Sequence, residues 1–542
     1  MSSVAEGPLE QLLAARMPWA SRGPVFVVQL LGLGTWPAQG WKLHVSATPA
    51  SVLEVADRVV PFLLAEGVRF KVVASQRVMA RMNSGWYGAT QVGKAVTVYP
   101  SDDEHAVPLA LALDELTKGL PGPRVPTDRP LRPDSLVHYR YGAFRDGTDA
   151  AAAAAGYELL DPVGRLTVDR RLMHYEAPAG VTDPFEAAGA YQPPAPSDGL
   201  LGGRYLVTGL LHRSWKGGVY HAIDVGSRPS RRCVVKELLH DVGSDVEGTA
   251  DARAWADNEV ELLRHFEGDA LFPRCLDVFD AHENRYVVLE HLEGVTLDEA
   301  LMRVDPRGEG LSPKAVLDVA RTTANLLACL HERGVVMRDF KATNVFCTPD
   351  GGYRLIDFEL AARPGGPAPR SAGTPPYLSP EQAGGSPPAA TDDVFTWGAV
   401  MHHLAGRAAS LAPGAELGGA PFPRPPIGGI RPDLPKALAQ VIDRAVAFEE
   451  AERYATMAEP AARLGAVRAR RRRPPRRAPV AEGRGNGPAV ETCLARAGTI
   501  ADALCDDAVQ RGDGLCWPRA DGAASPDLYS GAAGIALLLA AV

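Results

Sequence analysis

A chain of 542 residues with a net charge of −8 has room for about three globular domains and is too acidic overall for non-specific nucleic-acid binding. Its seven cysteines are scattered without framework spacing, which argues against a disulfide-stapled secreted protein and for a reducing, cytoplasmic setting. The opening MSSVAEGPLE has no cationic start and no long apolar core, so no secretory signal is expected.

The first predicted elements are strands. In WKLHVSA the alternation puts Lys42 and His44 on one face, two residues apart, with Leu43 and Val45 on the other. By spacing alone such a pair is ordinary on a solvated face. More cations follow in strand-like settings: Lys71 in RFKVVAS, Lys94 in VGKAVTVYP, and Arg140 between two tyrosines in VHYRYGAF. Cations on separate half-buried strands must converge on something anionic or be costly to keep. An alanine tract at Ala150 to Ala155 reads as a loop edge or short helix, and YQPPAPSDG at Tyr191 to Gly199 reads as a domain boundary.

After that boundary GRYLVTGLL opens a second set of strands, followed by HRSWKGGV with the neighbouring glycines Gly217 and Gly218. CVVKE reads as a buried strand carrying Lys236, ADNEVELLRHF as an amphipathic helix carrying Glu259, and VVLEHLEGVTL as a strand running into Glu290 to Leu292. The most informative stretch is VVMRDFKATNVFCTPDGGYRLIDFEL, from Val335 to Leu360. It has what phosphoryl transfer from ATP needs. Asp339 can accept the proton of an attacking hydroxyl and Lys341 can face the transferred phosphoryl group. Asn344 can hold Mg²⁺, and Asp357 can bridge Mg²⁺ to the β- and γ-phosphates.

These motifs resemble a protein kinase. The resemblance implies that Lys236 pairs with the α- and β-phosphates and is held by Glu259, that Gly217 and Gly218 approach the phosphates, and that backbone groups from Glu290 to Leu292 bind adenine. SPEQ at Ser379 to Gln382 stands where kinases carry A-P-E, DDVFTWGAV resembles the large-lobe helix beginning with an aspartate, here Asp393, and Glu381 is expected to pair with Arg453. The chain departs from the pattern in three places. His212 and Ser214 replace two glycines of the phosphate loop, so another covering group is needed or nucleotide affinity falls. Met337 replaces the histidine that opens the catalytic loop, and Glu359 replaces the glycine of D-F-G. None of these removes a catalytic atom, so an active kinase is favoured over a pseudokinase.

The four N-terminal phrases together resemble phosphothreonine lyases and, more closely, the lyase domain of class III and class IV lanthipeptide synthetases. That resemblance implies Lys71 as the base that removes the α-proton of a phosphoserine or phosphothreonine, and His44 as the acid that protonates the departing phosphate. Lys42 and Arg140 become phosphate holders, with Lys94 a weaker member of that shell. The match departs at Gly88-Ala89, where the family places another phosphate-binding arginine. A lysine base must be neutral, and neighbouring cations favour that form.

Beyond the kinase, RARRRRPPRRAP (Arg468 to Pro479) and the Gly-rich AEGRGNGP read as an extended linker. The last residues, PDLYSGAAGIALLLAAV, resemble the first helix of a lanthionine cyclase, with Gly531 and Gly534 allowing close packing. The apolar run is too short to span a membrane. Without further helices, residues from about 491 onward are expected to be poorly ordered or collapsed on the kinase. Class IV cyclases carry zinc ligands, so Zn²⁺ is expected only with a full-length class IV cyclase domain. Cys493, Cys505 and Cys516 have no close metal-ligand spacing and read as ordinary residues.

The expected architecture is therefore α+β and multidomain. It comprises a phosphothreonine-lyase-like α+β domain (1–195), a bilobal kinase domain (200–465), a linker (466–490) and the first helix of an α/α-barrel cyclase (491–542). The expected function is a lanthipeptide synthetase that phosphorylates Ser and Thr of a ribosomal precursor peptide, leader plus Ser/Thr/Cys-containing core, with ATP and Mg²⁺. Elimination of phosphate then gives dehydroalanine and dehydrobutyrine. The alternatives are a bacterial serine/threonine signalling kinase with an N-terminal binding domain, and a pseudokinase scaffold.

Overall fold

The computed structural model describes residues 7–29, 37–144, 158–160, 164–168, 175–194, 199–244, 251–305, 311–366, 373–374, 376–406, 423–467, 509–511 and 514–516. The chain divides into two compact units, 1–145 with 158–470, and 146–157 with 471–542. In the second unit the described part is one antiparallel strand pair, Val509–Arg511 with Gly514–Cys516. The alanine tract, the arginine-proline linker, Cys493, Cys505 and the expected cyclase helix lie outside the described residues.

The first unit opens on a seven-stranded antiparallel sheet built from β1 (Ser21–Arg22), β2 (Phe26–Gln29), β3 (Gln39–Val45), β4 (Arg69–Val73), β5 (Val96–Tyr99), β6 (Arg129–Pro130) and β7 (Val137–Ala143). Its order is β1-β2-β4-β5-β3-β7-β6. Strand alternation gives it two unlike faces. Trp41, Leu43 and Val45 of β3, Phe70 and Val72 of β4, Val96 and Val98 of β5, and Val137 and Tyr139 of β7 are buried in one apolar core. Helices α1 (Pro8–Arg16), α2 (Val52–Ala65) and α4 (Asp103–Thr117) add to that core; α3 is Gln76–Asn83.

The sequence of α2 shows why it sits there. Its buried residues Val52, Val55, Ala56, Val59, Val60 and Leu63 recur at three- and four-residue steps, which makes one apolar stripe. Asp102 caps α4 by accepting from the His105 backbone N–H at 2.8 Å. Phe185, from the short helix Pro184–Ala187, stacks on Tyr139 with centroids 3.9 Å apart, tying the end of this segment back to the sheet. A small hairpin pairs β8 (Glu158–Leu160) with β9 (Leu166–Val168).

The second sheet is antiparallel as well, in the order β10-β11-β12-β13-β15-β14. Its strands are β10 (Leu200–Leu201), β11 (Tyr205–Ser214), β12 (Gly217–Asp224), β13 (Arg231–Leu238), β14 (Cys275–Ala281) and β15 (Asn284–Glu290), and the helix Ala252–His265 packs against it. β15 leads into a mostly helical lobe with Pro313–Glu332, Ala390–Gly406, Lys436–Ala445 and Ala458–Ala466. A three-stranded sheet there joins β16 (Val295–Thr296), β17 (Val345–Cys347) and β18 (Tyr353–Leu355). Trp397 Nε1 donates to Thr323 Oγ1 at 2.9 Å and locks the two long helices together. Arg453 grips Glu381 with two bonds of 2.7 and 3.0 Å, the bidentate geometry that a guanidinium favours. A small antiparallel lobe with one helix, set on a helical lobe, is the protein kinase fold with its mixed α/β content. Among the described residues no helix is long and apolar enough to cross a membrane.

Candidate functional site

The catalytic stretch of the helical lobe is held from beneath by Asp393, the residue near the start of helix Ala390–Gly406. Its carboxylate accepts backbone N–H groups from Met337 (2.7 Å) and Arg338 (2.7 Å), and it lies 2.9 Å from His331 Nε2. An imidazole thus reaches Asp393 from six residues upstream of Met337, where the family pattern has its histidine. Sequence reading missed His331 because it lies on the preceding helix, outside the motif. Arg338 and Asp357 adopt positive φ of 63° and 68°. Such backbone strain in non-glycine residues persists where the surroundings impose it.

Asp339 is the centre of a compact polar group. Lys341 Nζ donates to its carboxylate at 2.7 Å, Thr374 Oγ1 at 2.6 Å, and Asn344 Nδ2 donates to its backbone carbonyl at 3.0 Å. Lys341 also reaches Thr374 Oγ1 at 3.1 Å. Thr374 comes from the segment between Asp357 and Ser379.

Across the cleft, Lys236 Nζ stands 2.7 Å from Glu259, 2.8 Å from Asp357 and 2.9 Å from Glu359. Burial opposes the charge on Lys236, but these three carboxylates outweigh it and hold the ammonium well above its ordinary range. Burial likewise disfavours the Asp357 carboxylate, yet Lys236, Lys216 and Lys341 keep it ionised far below the usual range. For Glu259 burial wins and pushes its carboxyl up. Phe358 N donates to Glu259 at 3.0 Å, so the helix carrying Glu259 is also tied to the segment that follows Asp357. The oxygen donors of Asn344 and Asp357 are hard ligands that suit Mg²⁺. Glu290 ends β15 where the two lobes meet, its carboxylate held by Arg274 and Arg354, and Leu292 follows in the connection.

The phosphate loop sits between β11 and β12. Gly217 has φ +148°, and a Cβ there would lie 2.0 Å from the Glu237 carbonyl oxygen; a Cβ on Gly218 would meet the Tyr220 hydroxyl at 2.3 Å. Close packing by the neighbouring strand and tyrosine accounts for both glycines.

The second cluster lies on the first sheet, on the face opposite its apolar core. Register aligns Lys71 with Thr97, Thr97 with His44, and His44 with His138 in one row. One step along, Lys42 pairs with Arg140 and Arg69 with Tyr99. Lys42, His44, Lys71 and Arg140 are therefore brought together on one face from three strands that are distant in sequence. The Lys71 ammonium lies 4.0 Å from the Phe26 ring centroid, and Lys42 and Arg69 each approach the Tyr99 ring at 5.9 Å. Arg69, two residues before Lys71, adds a cation that sequence reading had not singled out.

Asp128 was also missed, since nothing in TDRP marks it as part of a site. Its buried carboxylate bonds His44 Nδ1 and lies 3.1 Å from Lys94 Nζ, which itself donates to Thr127 Oγ1 at 3.2 Å. Lys94 is thus directed at Asp128. Burial would raise Asp128, but Lys94 and His44 hold it well below the carboxylate range. His44 is lowered to about 3 by burial and then by Lys94, against the pull of Asp128. Burial thus works against the protonated form of His44 that an acid role requires. His138 is lowered to about 4 by burial; its Nδ1 faces the Leu136 carbonyl at 3.1 Å and its Nε2 accepts from Val125 N at 3.3 Å.

In comparison with known proteins, two family models match separate parts of the chain. The family model described as "RamC, N-terminal domain" matches residues 13–196, and the one described as "Protein kinase domain" matches 216–413. A protein of Streptomyces coelicolor described as a probable SapB synthase is 34% identical over 60% of this chain and 35% of its own length. The serine/threonine-protein kinase PknA of Mycobacterium tuberculosis is 31% identical over 51% of this chain and 64% of its own. The chain thus spans about a third of the first relative and less than two thirds of the second. The solved PknI kinase domain of Mycobacterium tuberculosis aligns with a TM-score of 0.37 at 22% identity, over 50% of this chain and 99% of that one.

Proposed function

We propose that this chain, a lanthipeptide synthetase of the lyase-kinase type by its RamC N-terminal and protein kinase domains, dehydrates Ser and Thr residues of a ribosomal precursor peptide in two steps. In the first, Asp339 takes the proton of the Ser or Thr hydroxyl as that oxygen forms a bond to the γ-phosphorus of ATP, and ADP leaves. Lys341 offsets charge on the transferred group, and Lys236, held by Glu259, binds the other phosphates. Asn344 and Asp357 would hold Mg²⁺, which supplies charge neutralisation at the phosphates.

In the second step the neutral amine of Lys71 takes the α-proton, the β-carbon to oxygen bond breaks, and an alkene forms. The phosphate leaves among Lys42, Arg140 and Arg69, with His44 delivering its proton. Phosphorylation serves this step by turning hydroxide, a poor leaving group, into phosphate. A phosphate dianion next to His44 also offsets the burial and the Lys94 charge that keep its imidazole neutral. The observation that carries the reading is the gathering of cations and a buried histidine on one sheet face in a chain that also has a kinase catalytic loop. Ring formation would belong to a cyclase domain beginning after the linker.

Incubation with ATP, Mg²⁺ and a Ser/Thr/Cys-rich precursor peptide tests it by mass. Loss of one water per modified site is expected; a stable gain of phosphate would instead favour a signalling kinase with a binding domain, and no change a pseudokinase. A second expectation concerns Asp128. Asp128→Asn removes the charge that orients His44 and balances Lys94, so elimination from a pre-phosphorylated peptide should fall roughly a hundredfold while phosphorylation by the kinase half is unchanged. Equal elimination rates in the two proteins would remove Asp128 from this role.

A further inference from the structure

A lysine of the phosphate loop and one departure from the kinase pattern, 143 positions apart, meet in the cleft. Lys216, in the phosphate loop, makes an ion pair through Nζ with Glu359, the residue standing where D-F-G has glycine. Glu359 is buried, and its other oxygen is 2.9 Å from Lys236. From this geometry we infer that Lys216 is a nucleotide-phosphate ligand of the kinase, and that Glu359 holds it in place until ATP arrives. The inference rests on the kinase half of the reading above and is independent of the lyase half.

The ordinary phosphate loop uses backbone amides, and here an amide is engaged elsewhere. Lys216 N donates to Ser214 Oγ at 3.2 Å, and Lys216 O accepts from Leu239 N at 2.8 Å. Ser214 occupies one of the positions where glycine is missing, so the substitution that adds bulk also occupies a phosphate-directed donor. A long cationic side chain one residue before Gly217 restores a positive group to the same loop. Its position is well defined. Next to it, Trp215 packs edge-on to Trp255 with centroids 5.9 Å apart, and a Cβ on Gly85 would come within 2.5 Å of the Trp215 ring. The loop tip is therefore held between the helix Ala252–His265 and the first sheet's domain.

Charge balance gives the second argument. Glu359 alone would add a negative charge beside Asp357 and Glu259, just where a triphosphate must bind. Lys216 cancels it and leaves the net charge of the cluster at the value that Lys236, Glu259 and Asp357 have by themselves. When phosphates enter, they offer the ammonium of Lys216 a better-matched anion than one carboxylate, and Glu359 keeps its contact with Lys236.

Affinities of the full chain for ATP·Mg and for adenosine, measured by titration calorimetry, test this. Lys216→Met should weaken ATP binding roughly tenfold to a hundredfold, leave adenosine binding unchanged, and be largely rescued by Lys216→Arg. The double variant Lys216→Met/Glu359→Gly removes the carboxylate left behind and should regain part of the loss. ATP affinity within threefold of wild type in Lys216→Met overturns the inference, as does a parallel loss of adenosine affinity, which would mark a structural role. A wild-type chain that binds adenosine but no ATP would overturn it together with the kinase reading, whereas ATP binding without dehydration of any peptide would count against the lyase reading alone.

Discussion

Asp339→Asn should lower the rate of peptide phosphorylation by about 10³-fold, with ATP affinity within a few-fold of wild type. The reason lies in what the substitution keeps. An asparagine has the size of aspartate, and its amide oxygen can still accept the bond from Thr374 Oγ1 that now measures 2.6 Å. Asn344 donates to the backbone carbonyl of residue 339, which is untouched. What disappears is the one oxygen that can accept the hydroxyl proton, together with the anion paired with Lys341 at 2.7 Å. Released from that pair, Lys341 is still close to Thr374, so the loop should retain its shape. ADP release in the presence of peptide is the readout, and a rate within tenfold of wild type would mean that another group accepts the proton. The same variant given a chemically phosphorylated peptide should eliminate phosphate at the wild-type rate, because none of the sheet-face residues is altered.

How far the chemistry could be read from the sequence depended on how local each role is. Asp339, Lys341, Asn344 and Asp357 fall within one short stretch, and their types and spacing carry the roles proposed for them. Alternation alone separated Lys42 and His44 from Leu43 and Val45, and the apolar core contains the latter pair. Strand order was another matter. Lys71 and His44 share a row only because β5 lies between β4 and β3, an arrangement no local pattern encodes. Asp128, on a loop before β6, joins that row from outside any strand. His331 compensates for Met337 from a neighbouring helix, and Lys216 compensates for Glu359 from the opposite lobe. Read singly, Ser214, Met337 and Glu359 look like erosion of the kinase pattern. In the fold, two of the three have a partner that offsets them, and the third holds the backbone of Lys216. Compensation between elements is a property of tertiary contacts, so a motif scan sees the loss and not the gain.

Lys71→Ala should give the opposite product to Asp339→Asn: phosphopeptide that accumulates, with dehydration reduced by about 10³-fold or more. Removing an α-proton from a peptide residue is the hard part of the elimination, and the sheet face offers one amine for it in the row with His44. Its Nζ lies 4.0 Å from the Phe26 ring centroid, a contact that fixes where the side chain points. Truncation to alanine leaves Lys42, Arg140 and Arg69 able to bind phosphate, so the intermediate should still be recognised but not consumed. His44, with Nδ1 bonded to Asp128 and its proton needed on the leaving group, is badly placed to serve as the base as well. Mass analysis of the peptide after a single incubation reads the result, and an undiminished yield of dehydrated product would remove Lys71 from the role. Mixing the two variants adds a stricter test. Phosphopeptide released by Lys71→Ala is the substrate that Asp339→Asn can still use, so dehydration should return in the mixture at a rate that rises with the concentration of the Asp339→Asn chain. Recovery of that kind requires two separate active sites joined by a common intermediate, which neither a signalling kinase nor a scaffold would have.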